Sequence, residues 1–157
     1  MKISDYLPEA IRQAVSDIEL IEQGRHPEAN AVDMSVWAQV YNGKCEVCLA
    51  GATFYREGYN VKDFIGEPGS LYKCDIPDDF KRKALALNGI RSGQIQIALD
   101  YWLNQDILDI GSVKIGMYEA PYFSYVLEPG KAKTQWLWTA DWLEENVSKK
   151  DLTYVGD

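Results

Sequence analysis

Leu7, Ile11, Ala14, Ile18 and Ile21 recur at alternating spacings of four and three residues, the period that gathers side chains on one face of an α-helix. This run, from Asp5 to Gln23, constrains the fold most, because a helix with one long apolar face has to bury it against a second layer. Asp5 or Ser4 can cap its start, Pro8 is tolerated in the first turn, and Gly24 can take the left-handed conformation that ends it. Glu9, Arg12, Gln13, Asp17, Glu19 and Glu22 are expected on the solvated side.

Three further helices follow from the same reasoning. Pro77 opens one whose first turn holds Asp78 and Asp79 and whose apolar stripe is Phe80, Ala84 and Leu87, with Asn88-Gly89 as its stop. Ser92 is a suitable N-cap for the next, in which Ile95, Leu99, Trp102 and Asp106 share a side, and the two form a short-linked pair. From Thr134 to Val147, Trp136, Ala140, Leu143 and Val147 make one stripe and Trp138 with Trp142 an i, i+4 pair nearly opposite. A strand followed by a helix capped at Thr139 competes for that stretch; the full helix is favoured because Asp141, Glu144 and Glu145 then share a solvated sector.

The segment between the first two helices is less periodic. Arg25 to Asn30 reads as a loop, with His26 extended before Pro27. Val32 to Tyr41, which contains Met34, Val36, Trp37 and Val40, leans to helix, and Asn42-Gly43 is a turn. Cys45 to Tyr55 reads as a buried helix with Cys48, Ala52 and Tyr55 on one face, and Ala50 and Gly51 permit close approach of another element; glycine inside a helix costs about 1 kcal/mol relative to alanine, so Gly51 needs such a packing reason. Residues 58–74 carry the turn Gly66-Glu67-Pro68-Gly69 and little order, while Val113, Ile115 and Met117 followed by Tyr122 to Leu127 have β propensity. The expected fold is therefore mainly α, a compact helical single domain over 1–157, with residues 112–127 able to add a small antiparallel β element and a tail after Lys149 loosely held.

Apolar residues at 46% and charged residues at 25% are globular values, with no bilayer-spanning stretch and no secretory leader pattern. A cytoplasmic protein is expected. The formal charge of −8 argues against nucleic acid as a direct partner, since phosphate binders cluster Lys and Arg. Three cysteines cannot all pair within one chain, so reduced thiols are expected.

Cys45-Glu46-Val47-Cys48 has the spacing of a redox pair, but the surrounding βαβ pattern that such a pair needs is missing. Cys45, Cys48, Cys74 and His26 would complete a Cys₃His zinc set, with Cys74 and His26 standing alone in sequence. The plainer reading makes the close-spaced cysteines small buried hydrophobes beside Ala50 and Ala52. Arg91-Ser92-Gly93 offers backbone N–H groups and a guanidinium to an anion if a helix starts there, or is simply a capped turn. No phosphate loop of the G-x-x-x-x-G-K type occurs, and the one histidine has no nucleophile at a telling spacing.

Two boxes carry a resemblance. Cys45-x-x-Cys48-Leu49-Ala50-Gly51, preceded by Met34 and Trp37, is similar to a C-x-x-C-[LI]-A-G box of small uncharacterised bacterial and phage proteins, although Glu46-Val47 stands where the commoner version has Gly-Thr. Ala86-Leu87-Asn88-Gly89-Ile90-Arg91-Ser92-Gly93 resembles an A-L-[ND]-x-[LI]-R-x-G turn in the same proteins. The resemblance implies a phage or prophage origin and carries no catalytic residue. Five tryptophans and ten tyrosines are more than a core of this size readily hides. The function expected is thus a non-enzymatic interaction module that modulates a host protein, with Trp138 and Trp142 as contact residues and no cofactor. The alternative is a zinc or redox-thiol protein built on Cys45, Cys48, Cys74 and His26.

Overall fold

In the computed structural model, residues 2–33, 38–59, 76–103 and 129–156 are described. The first apolar run forms α1, Leu7–Glu22, which buries Leu7, Ala10, Ile11, Ala14, Val15, Ile18 and Ile21. Its C-terminus closes as the sequence predicts. Gly24 takes φ +69°, its N–H reaches Ile21 O, and the Arg25 N–H reaches Leu20 O, the paired bonds of a Schellman cap. Its N-terminus differs from expectation: Tyr6 is the cap residue and its side chain makes no capping bond. Asp5 instead binds Lys83 Nζ at 2.6 Å, while Ser4 Oγ accepts the Tyr6 N–H.

The expected helix over 32–41 and the helix over 45–55 are both corrected. The chain there forms β1, Ala31–Val32, β2, Ala38–Tyr41, and β3, Lys44–Val47, in the sheet order β1-β3-β2. β1 runs parallel to β3 and β2 antiparallel to it. Asn42 at φ 50° and Gly43 at φ 76° give the two left-handed residues of a type I′ hairpin turn joining paired Tyr41 and Lys44. After the turn at Leu49-Ala50 the chain coils into a 3₁₀ helix, Gly51–Glu57. Thr53 drives that tighter winding: its N–H bonds Ala50 O at 3.1 Å and its hydroxyl donates to the same oxygen at 2.6 Å.

Helix α2, Asp78–Arg91, and helix α3, Ile95–Leu103, form the expected helical pair. Asn88-Gly89 does not end α2. Gly89 lies in its interior because α3 crosses there so closely that a Cβ would stand 2.9 Å from Ala98 Cβ. The long helix over the tryptophans is α4, Pro129–Asn146, which buries Ala132, Trp136, Ala140 and Leu143. It packs antiparallel on α1, since Arg12 meets Asp141 and Glu144 while Glu22 meets Lys133 at the other end.

The tail past Lys149 is held, not loose. Helix α5, Lys149–Leu152, starts at a Ser148 cap, Leu152 is fully buried and Tyr154 nearly so, and Thr153 pairs with Tyr6. Trp102 Nε1 donates to Leu152 O at 3.1 Å. These contacts tie the C-terminus to α3 and to the segment before α1. The mainly helical expectation thus holds for the described residues, and none of their helices is long and apolar enough to cross a membrane. Met34, Val36, Trp37, the turn at 66–69, Cys74 and the β-prone stretch 112–127 lie outside the described residues.

Candidate functional site

Three places were marked by the sequence: the cysteine segment, the Arg91-Ser92-Gly93 turn, and the tryptophans of α4. Cys45 lies in β3, its N–H bonded to Asn30 Oδ1 at 3.0 Å and its carbonyl to the Asn30 N–H at 2.7 Å. Cys48 follows the strand. Its Sγ accepts the Gly51 N–H at 3.3 Å, and both thiols are buried. Burial raises the Cys48 thiol above its ordinary value, outweighing the Arg91 charge and the backbone donors that act the other way. A redox thiol needs the opposite shift together with access to its substrate.

His26 is engaged locally. Its Nδ1 accepts the N–H groups of Glu28 at 3.3 Å and Ala29 at 3.0 Å, and its ring meets Tyr55 edge-on at 4.7 Å. Among the described residues no group of three His, Cys, Asp or Glu side chains is placed to hold a metal ion; Cys74 lies outside them.

Arg91-Ser92-Gly93 is a helix end rather than a helix start. Ser92 is the C-cap of α2, with its N–H bonded to Asn88 O. Gly93 adopts φ 73°, its N–H bonds Ile90 O, and the Gln94 N–H bonds Gly89 O. The turn is a second Schellman cap, so the donors sought for an anion are committed to carbonyls at the negative end of the helix dipole. Arg91 Nε donates to Asn88 Oδ1 at 2.9 Å. Both sequence boxes therefore acquire a structural meaning: one is a strand-to-3₁₀ junction, the other a close helix crossing followed by its cap.

The chain matches no protein-family model, no curated protein and no solved structure. What the residues themselves present is the outer side of α4. Trp136 faces the core at 1% exposure, whereas Trp138 is 38% exposed and Leu137 beside it 37%. Trp142 is half-buried and packs against the core edge. The indoles of Trp138 and Trp142 stack at 6.5 Å between centroids with 22° between planes, the arrangement expected from an i, i+4 pair.

Sequence reasoning missed two polar anchors. Asp17, expected in solvent, is 6% exposed and receives Arg56 Nε at 2.7 Å and Nη2 at 3.1 Å. Its position one helical repeat of seven beyond Ala10, and three beyond Ala14, was the available signal, for it falls inside the apolar sector of α1. Burial raises the Asp17 carboxyl despite the Arg56 guanidinium, so the pair positions the 3₁₀ helix against α1 at a desolvation cost. Lys83 is 4% exposed, bound to Asp5 and lying 5.0 Å from the Tyr154 ring centroid, where its ammonium joins the two chain ends to α2.

Proposed function

We propose that this chain is a non-enzymatic protein–protein interaction module that uses Trp138 and Trp142 as its contact surface. The observation that carries this reading is the stacked indole pair on the outer side of α4, with Trp138 38% exposed. Trp102 and Trp136 are fully buried, whereas Trp138 leaves more than a third of its surface open to solvent and so to a partner. Tryptophan dominates the energetic centres of protein interfaces because it removes a large apolar area from water at little entropic cost.

Charge favours a basic partner surface. Residues 134–147 contain Asp141, Glu144 and Glu145 and no Lys or Arg, in a chain of net charge −8. Arg12 already occupies Asp141 and Glu144. Glu145 is exposed and sits two turns from Trp138 on the same helical side, where an incoming cation would meet a carboxylate and an indole face together. The finer reading, a phage-encoded modulator of a host protein acting in the host cytoplasm, rests on the resemblance of the two sequence boxes.

Affinity capture from bacterial lysate with wild type and the Trp138→Ala/Trp142→Ala double variant tests the proposal, with circular dichroism confirming that both are folded. A specific partner held by wild type and lost by the double variant is the expected result. Equal capture by the two proteins would remove the indoles from the contact surface.

A further inference from the structure

His26 lies on the connection between α1 and β1 and is the chain's one histidine. Two backbone N–H groups, of Glu28 and Ala29, point at its Nδ1, so the ring is held as the neutral tautomer with its proton on Nε2. This bond pair closes residues 26–29 into a tight loop that delivers the chain to β1. Beyond it the Asn30 N–H bonds Cys45 O and the Asp33 N–H bonds Val47 O, so that β1 lies along β3 as an edge strand.

We propose that His26 is a proton-operated latch on the connection from α1 to β1: a proton taken up at Nδ1 abolishes both acceptor bonds and opens residues 26–29. An imidazolium cannot accept a hydrogen bond, so the closed loop and the protonated ring exclude each other. Among the described residues the charge that acts on the ring in the same sense is that of Arg56, and the nearby carboxylates are engaged elsewhere. Arg56 of the 3₁₀ helix places a positive charge near it, the Glu28 carboxylate that would welcome an imidazolium accepts the Tyr55 hydroxyl, and the Asp17 carboxylate of α1 is held by Arg56. Burial, and then the Arg56 charge, hold the His26 pKa below its ordinary 6.5.

The sign follows from that lowered value. The closed loop keeps its full stability above about pH 6.5, and loses it as pH falls from there through the lowered value of the closed state. In that window opening is coupled to uptake of one proton, so the opening constant rises by up to about tenfold per pH unit. The helices are expected to stay packed while the latch works, because the α1–α4 ion pairs of Arg12 and Lys133 and the Gly89–Ala98 crossing of α2 with α3 do not involve residues 26–29.

Native-state hydrogen exchange between pH 7.5 and 5, corrected for intrinsic rates, tests this on the full chain, together with NMR titration of the single imidazole. Protection of the Glu28 and Ala29 amides should fall by up to about tenfold per pH unit below pH 6.5, while the amides of Ile11 and Ala14 keep theirs. In His26→Asn, whose amide oxygen can accept the same bonds without titrating, that protection should be flat across the range. The proposal is overturned if wild-type protection does not change with pH, if His26→Asn loses it in the same way, if α1 loses protection in parallel, or if the imidazole titrates at or above pH 6.5 with the loop still protected.

Discussion

Replacing Gly89 with alanine probes the closest crossing in the molecule. In an open helix the change would stabilise by about 1 kcal/mol through helix propensity. Here the added Cβ would stand 2.9 Å from Ala98 Cβ and 3.1 Å from both Ala98 Cα and Ala98 N. None of those atoms can rotate away, so relief requires α2 and α3 to separate by roughly half an ångström, enough to bring the contacts into the ordinary van der Waals range. Overpacking of this kind costs about 1–3 kcal/mol. After the propensity gain, a net loss of about 1 kcal/mol is expected, a fall in Tm of about 2–4 °C for a domain of this size. Thermal and urea unfolding of Gly89→Ala, Ala98→Gly and the double variant measure it. Ala98→Gly removes the nearest atom and should recover part of the loss in the Gly89→Ala background, giving a coupling energy of opposite sign to the single effects. A Gly89→Ala protein more stable than wild type would refute the reasoning, since the crossing would then have slack.

Asp17→Ala leaves the half-buried Arg56 without its carboxylate and should cost about 2–4 kcal/mol in urea unfolding, whereas the apolar pair Asp17→Leu/Arg56→Met should cost much less; equal losses would mean that the charges are not what matters there. Ending the chain at Ser148 removes Leu152 and deprives Trp102 Nε1 of its acceptor. The truncated protein should lose about 3–8 kcal/mol, the sum of a buried leucine and an unsatisfied buried donor, and a shift below about 1 kcal/mol would show the tail to be dispensable.

Local periodicity made α1 and α4 legible, because each buries one stripe that can be read without knowing its partner. The Asn42-Gly43 turn was legible too, and Lys44-Cys45-Glu46-Val47 alternates polar and apolar residues as a strand should. Reading the small residues Ala50, Gly51 and Ala52 as a packing helix obscured that pattern. Close packing by a small residue does occur, at Gly89 against Ala98, where the glycine looked like a helix stop. Ser92 suits either end of a helix by type, and Gly93 after it was the sign of a C-terminus. The tail could not be read locally: its polar sequence hides that Leu152 and Tyr154 meet Trp102, Lys83 and Asp5, all distant in the chain. Of the candidate site, the stacked indole pair followed from helical spacing, whereas the roles of His26, Asp17 and Lys83 depend on contacts between separate elements.

A photo-crosslinking residue placed at Leu137, beside Trp138, tests the interaction surface most directly when compared in bacterial cells with the same residue at Ile97, an exposed apolar position on α3. The account predicts a discrete adduct with one protein from position 137, absent from position 97 and diminished by Trp142→Ala. The same adducts from both positions, or none from position 137, would contradict it.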